Sequence, residues 1–70
     1  MASFRTKYAV GDWVWFDYEG RAKQGQIRHI FIEVGDLVSI EYDIKIGSYL
    51  IERRQTEVFP TEEKLKKAMK

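Results

Sequence analysis

Apolar and polar residues alternate most cleanly from Leu37 to Ile44, where Val38, Ile40, Tyr42 and Ile44 share one side and Ser39, Glu41 and Asp43 the other. A period of two is the pattern of a strand with one buried face. The stretch Val10-Gly-Asp-Trp-Val-Trp-Phe-Asp-Tyr-Glu-Gly20 has the same period with a difference. Val14 and Phe16 point one way and Trp13 and Trp15 the other, so this strand offers apolar surface to both sides. Gly11-Asp12 reads either as part of an alternating run that starts at Tyr8 or as a bend ahead of the strand proper. Glu19-Gly20 is a hairpin turn, because glycine tolerates the positive φ that tight hairpins demand. Arg21 to Val34 is the second strand region. Gly25 predicts a bulge or sharp bend within it, and Ile27 and Ile30, out of phase on a flat strand, predict a bulge near His29 or strong coiling. Gly35-Asp36 and Lys45–Ser48 are the next turns. Tyr49 to Arg54 is a fourth strand, whose inward set is either Tyr49, Ile51 and Arg53 or Leu50, Glu52 and Arg54.

The pattern changes at Glu57-Val-Phe-Pro60, a short extended or single-turn connector in which Pro60 biases Phe59 away from helix. Thr61 is a helix N-cap, followed by Glu62 and Glu63 at the end that favours acid, with Lys66, Lys67 and Lys70 at the end that favours base. Leu65, Ala68 and Met69 form a narrow apolar stripe. A helix this short does not hold alone in water, so it docks on the strands or frays; a cap over an open end of the barrel is favoured over a partner-binding helix presenting Leu65 and Met69. The organisation expected is a flexible arm over 1–7, a β domain over 8–60 and a terminal helix over 61–70. Several short strands joined by glycine turns predict an all-β fold, a strongly bent five-stranded sheet closing on itself with a short C-terminal helix.

Val10-Gly-Asp-x-Val-x-Phe, Gly25-x-Ile, Val38-x-Ile-x-Tyr42, Tyr49-x-Ile and Glu57-Val-Phe-Pro-Thr together resemble the SH3-like small barrels, in particular the Tudor and KOW-like group. The tail Val58-Phe59-Pro60-Thr61-Glu62-Glu63-Lys64-Leu65 is also similar to that of short proteins of bacteria and their phages. The resemblance covers roughly residues 8 to 65, and its motifs specify turns, core positions and a closing connector. It implies an SH3-like barrel with a non-catalytic binding role, encoded by a phage or mobile element, whose ligand varies from member to member. The aromatic cage of some Tudor domains has no residue-by-residue match here.

Composition narrows the stabilising devices. Two Trp, four Tyr and four Phe in 70 residues supply large burial, while the absence of cysteine removes disulfides and thiolate metal sites. Twelve basic against 11 acidic residues give a net charge of +1, which does not suggest a polyanion binder but leaves room for a local basic patch. No apolar run approaches a membrane span, and residues 1–8 hold no export signal, so the setting expected is cytoplasmic.

Two surfaces compete for function. Trp13 and Trp15 with Asp17 and Glu19 make an aromatic, acidic face suited to a basic protein partner, and Glu41, Asp43 and Glu52 extend the acidic character. Arg21, Lys23, Arg28, Arg53 and Arg54, with Tyr18 or Tyr49, would instead hold phosphates while a ring stacks on a base. The first reading leads: a non-enzymatic protein-interaction module. Weak nucleic-acid binding is the alternative, and self-association through the tryptophans is the third. His29, the single histidine, has neither the companions of a zinc site nor a nucleophile at a telling spacing. No catalytic residue, metal ligand set or cofactor is expected.

Overall fold

Each strand is set by what its alternate residues can bury. In the computed structural model, which describes residues 5–69, β1 (Trp13–Tyr18), β2 (Arg21–Val34), β3 (Val38–Ile46), β4 (Tyr49–Arg54) and β5 (Val58–Phe59) form one antiparallel sheet in the order β4-β3-β2-β1-β5. A single 3-10 turn, Gln55–Glu57, links β4 to β5, and α1 (Glu62–Ala68) follows. Residues 1–4 of the expected N-terminal arm and Lys70 of the expected helix lie outside the described residues.

The core lies on one face of the curved sheet. Val14 and Phe16 of β1, Ile27 of β2, Tyr42 and Ile44 of β3 and Val58 of β5 are buried together, with Tyr8, Tyr18, Ile30, Ile40, Ile46 and Ile51 packed around them. Ile51 decides the open question about β4: its inward set is Tyr49, Ile51 and Arg53, although Tyr49 lies beyond the core and is exposed. Glu19 and Gly20, at φ 53° and 82°, form the two-residue turn between β1 and β2, with Tyr18 opposite Arg21. Positive φ at both positions gives the turn the twist that the flanking strands need.

The start of β1 is settled as a bend. Asp12 N–H donates to the Ala9 carbonyl at 3.0 Å and the Asp12 carboxylate accepts from Ala9 N–H at 2.9 Å. Gly11 at φ 98° then lets the chain hydrogen-bond Ile27 from both sides, through Gly11 N–H and the Asp12 carbonyl. On the β3 side, the register slips between Ile27 and His29, so the bulge falls at Arg28. Beyond it β2 and β3 continue as a two-stranded hairpin that neither β1 nor β4 flanks along its full length.

The expected closed barrel does not form. β4 and β5 are the two edges of the sheet and do not pair. β4 ends in the 3-10 turn, and β5 is only two residues long, too short to carry a second ladder. Side chains span the open side instead. The Arg53 guanidinium sits 5.6 Å from the centre of the Phe16 ring and donates to the Asp17 carbonyl at 3.3 Å. The Tyr42 hydroxyl accepts from Tyr8 N–H at 3.4 Å and donates to Gln55 Oε1 at 2.6 Å, and that oxygen also accepts from Lys7 N–H at 2.7 Å.

The helix packs apart from the core cluster. Thr61 is its N-cap, its hydroxyl accepting from Lys64 N–H at 3.2 Å, and Leu65 is buried outside the main core where α1 lies against β1, β2 and β5.

Candidate functional site

The outer face of the sheet carries the groove, and strand register assembles it. Trp13 on β1 stands opposite Gln26 on β2, and Gln26 stands opposite Lys45 on β3. This row crosses three strands. Gln24 and Arg28 flank Gln26 on β2 in the same outward phase, Lys23 joins the lining from the phase of Phe16, and the bulge turns His29 outward beside Arg28. The result is an open groove of ≈ 400 Å³ lined by Trp13, Lys23, Gln24, Gln26, Arg28, Lys45, Ile46 and Gly47. It runs on into a smaller one of ≈ 250 Å³ that shares Arg28 and Lys45 and adds His29, Ser48 and Leu50.

The lining contains three cations and no acid. Among the described residues, none of Lys23, Arg28 and Lys45 is in an ion pair; the only pairs are His29–Asp43, Lys66–Glu62 and Lys67–Glu63. Gln26 Nε2 donates to the Gly11 carbonyl at 3.1 Å, which fixes the amide and leaves its oxygen free. Trp13 is 59% exposed. Trp15 is not its equal: it stands opposite Phe59 and is half-buried. The two-residue β5 reaches Trp15 and Phe16 and stops before Trp13, so the short edge strand leaves one tryptophan open and covers the other.

The residues expected in an aromatic, acidic face are thereby dispersed. Asp17 is four residues from Trp13, about 13 Å along an extended strand, and its carboxylate accepts from Gly20 N–H at 2.9 Å to hold the hairpin turn. Glu19 is a turn residue at the far end of β1. Acids do cluster, but on β3 and β4, where Asp43 is opposite Glu52 and Glu41 is opposite Arg54. The neighbouring Glu41 carboxylate raises the Glu52 carboxyl above its ordinary value, with Asp43 adding to the effect.

The expected basic set is divided as well. Lys23 and Arg28 line the groove. Arg21 opens β2 opposite Tyr18 and does not. Arg53 is half-buried over Phe16, and Arg54 stands among Glu41, Glu52 and Glu57. Lys45 is the groove residue that the sequence reading missed. The sequence pattern puts it in a turn over Lys45–Ser48, but β3 runs on to Ile46 and the turn is confined to Gly47 and Ser48, which puts Lys45 in the outward phase after Glu41 and Asp43, opposite Gln26. His29 Nδ1 lies 3.5 Å from Asp43 Oδ2 and its ring is 6.3 Å from that of Phe31.

These features define a small open antiparallel β domain with a basic, tryptophan-walled groove on its outer face. Comparison with protein-family models, curated proteins and solved structures gives no match. Among the described residues, no helix is long and apolar enough to cross a membrane, and no group of three or more His, Asp or Glu side chains is placed to hold a metal ion.

Proposed function

We propose that the protein is a non-enzymatic module that binds single-stranded nucleic acid weakly through the groove of Trp13, Lys23, Arg28 and Lys45. One observation carries the reading: an exposed indole shares a groove with three cations that no carboxylate neutralises. Cations follow a phosphate backbone and an aromatic face stacks on any base, which together give sequence-tolerant binding to single strands. Gln24 and Gln26 offer amides to base edges. A net charge of only +1 limits the long-range attraction, which fits a weak binder.

This reverses the order in which the two surfaces stand in the sequence. A protein partner gripped by Trp13, Trp15, Asp17 and Glu19 needs those four side chains together, and only Trp13 is both exposed and in a groove. The SH3-like resemblance, with its KOW-like branch, suits the proposal as a small β module whose open side is spanned by Arg53 and Tyr42 rather than by a ladder.

The test is a titration of a mixed-sequence single-stranded oligonucleotide followed by tryptophan emission. Three phosphate contacts on a single strand predict a log–log salt slope of about −2, so affinity falls about twenty-fold between about 50 and 200 mM salt. Trp13→Ala should weaken binding about ten-fold or more while the fold persists, since stacking on one base is worth about 1–3 kcal/mol. Trp13→Phe should retain most of the affinity. Absence of binding at low salt, or a Trp13→Ala variant that binds as well as the parent, would overturn the proposal.

A further inference from the structure

The β2–β3 hairpin is the part of the molecule with the least covering. On its β1 side, β2 is hydrogen-bonded only as far as Ile27; from Arg28 to Val34 no strand among the described residues takes up its backbone groups. The side chains around that edge are apolar. Phe31 is 49% exposed, Val34 60% and Leu37 at the tip 84%, with Ile32 and Val38 also open. A two-stranded hairpin is marginal in water without a third strand. Solvent-facing edges are blunted by lysine, proline, other charges or bulges; here the bulge and Arg28 lie at the start of the edge, and from His29 to Ile40 there is neither lysine nor proline.

We infer that the edge of β2 from Arg28 to Val34 pairs with the same edge of a second copy of this chain, antiparallel about a two-fold axis at Phe31. Self-pairing is favoured because the edge is complementary to its own reverse. With Phe31 on the axis, Ile30 faces Ile32 of the second copy on the core side, and His29 faces Glu33 on the outer side, twice by symmetry. Other registers are poorer. A shift of one residue sets outward side chains against inward ones. Moving the axis to Ile32 sets Glu33 against Phe31, and moving it to Ile30 shortens the ladder to Arg28–Ile32, because Glu33 would then face Ile27, whose backbone already bonds Gly11 and Asp12. Pairing gives one continuous sheet, β3 and β2 of each copy at its centre. The contact is a seven-residue edge with a few apolar side chains, well below the size of a stable interface, so the dimer is weak, with a Kd of about 10–100 μM.

The experiment is sedimentation velocity on the full chain from about 10 μM to about 1 mM, with circular dichroism on each variant. The parent should pass from monomer to dimer across that range and go no further. Phe31→Lys and Phe31→Glu each bring like charges together on the axis and should raise Kd at least ten-fold. An equimolar mixture of the two variants should dimerise again, because opposite charges then meet. A parent that stays monomeric at about 1 mM, growth beyond the dimer, or Phe31→Lys that dimerises like the parent would overturn the inference. Failure of the mixed variants to reassociate would overturn the register.

Discussion

Gly25 sits where β2 and β3 approach most closely. A Cβ at this position would collide with the Ile44 side chain and lie 2.8 Å from the Lys45 carbonyl oxygen. Backbone cannot give way as a flexible side chain can, so Gly25→Ala should cost about 2–3 kcal/mol, read as a lower urea midpoint. Glu52 tests charge rather than volume. Its carboxyl is raised in the fold by Glu41, so the folded state favours the protonated form. Its contribution is therefore favourable at acid pH and is lost as pH rises through the carboxylate range. Glu52→Gln should melt at a higher temperature than the parent at pH 7, and the difference should close towards pH 3. Residues of this kind were partly legible beforehand. Gly25 stood out as a bulge or sharp bend, but the β1–β2 register runs through it unbroken and what requires glycine is the closeness of Ile44 and Lys45. The difference between Trp13 and Trp15 was not legible, since it comes from a strand of two residues that pairs with one and not the other.

Elements were more legible than their neighbours in space. The alternation of β3, the limits of β4, the Glu19-Gly20 hairpin and the Thr61 cap follow from local chemistry, and all stand where the pattern put them. The groove was not legible, because it joins Trp13, Arg28 and Lys45 from three strands whose register to one another no local pattern gives. Barrel closure also lay outside local pattern, being a matter of whether two edges meet. The helix makes its own prediction. Leu65 is its one buried residue, and its two exposed i,i+4 ion pairs are worth only a few tenths of a kcal/mol each. Leu65→Ala should release α1 at a cost of about 2–3 kcal/mol. In hydrogen exchange, the amides of residues 65–69 should lose protection while those of β1 and β2 keep theirs.

At the scale of the whole molecule, the open side of the sheet is held by tyrosines. Tyr8 and Tyr42 meet edge to face at 5.9 Å, and burial raises both phenols above the ordinary value of 10.0. Because the folded state holds these protons more tightly than the unfolded chain, the stabilisation is complete below pH 10 and is lost as pH rises beyond it. Alkaline melts should show a steeper fall in Tm above pH 10 for the parent than for Tyr42→Phe, which starts lower by about 1 kcal/mol for its lost hydroxyl bonds. The same junction governs the order in which the molecule can be completed as it is made. Lys7 waits for Gln55, the Tyr8 hydroxyl for the Val58 carbonyl, and Trp15 for Phe59. On the ribosome Lys7 and Tyr8 are made well before the residues that hold them, and a nascent chain stopped short of Gln55 lacks the acceptor of the Tyr42 hydroxyl and the β5 partner of Phe16. The contacts that span the open side of the sheet therefore form only once Gln55 to Phe59 have been made.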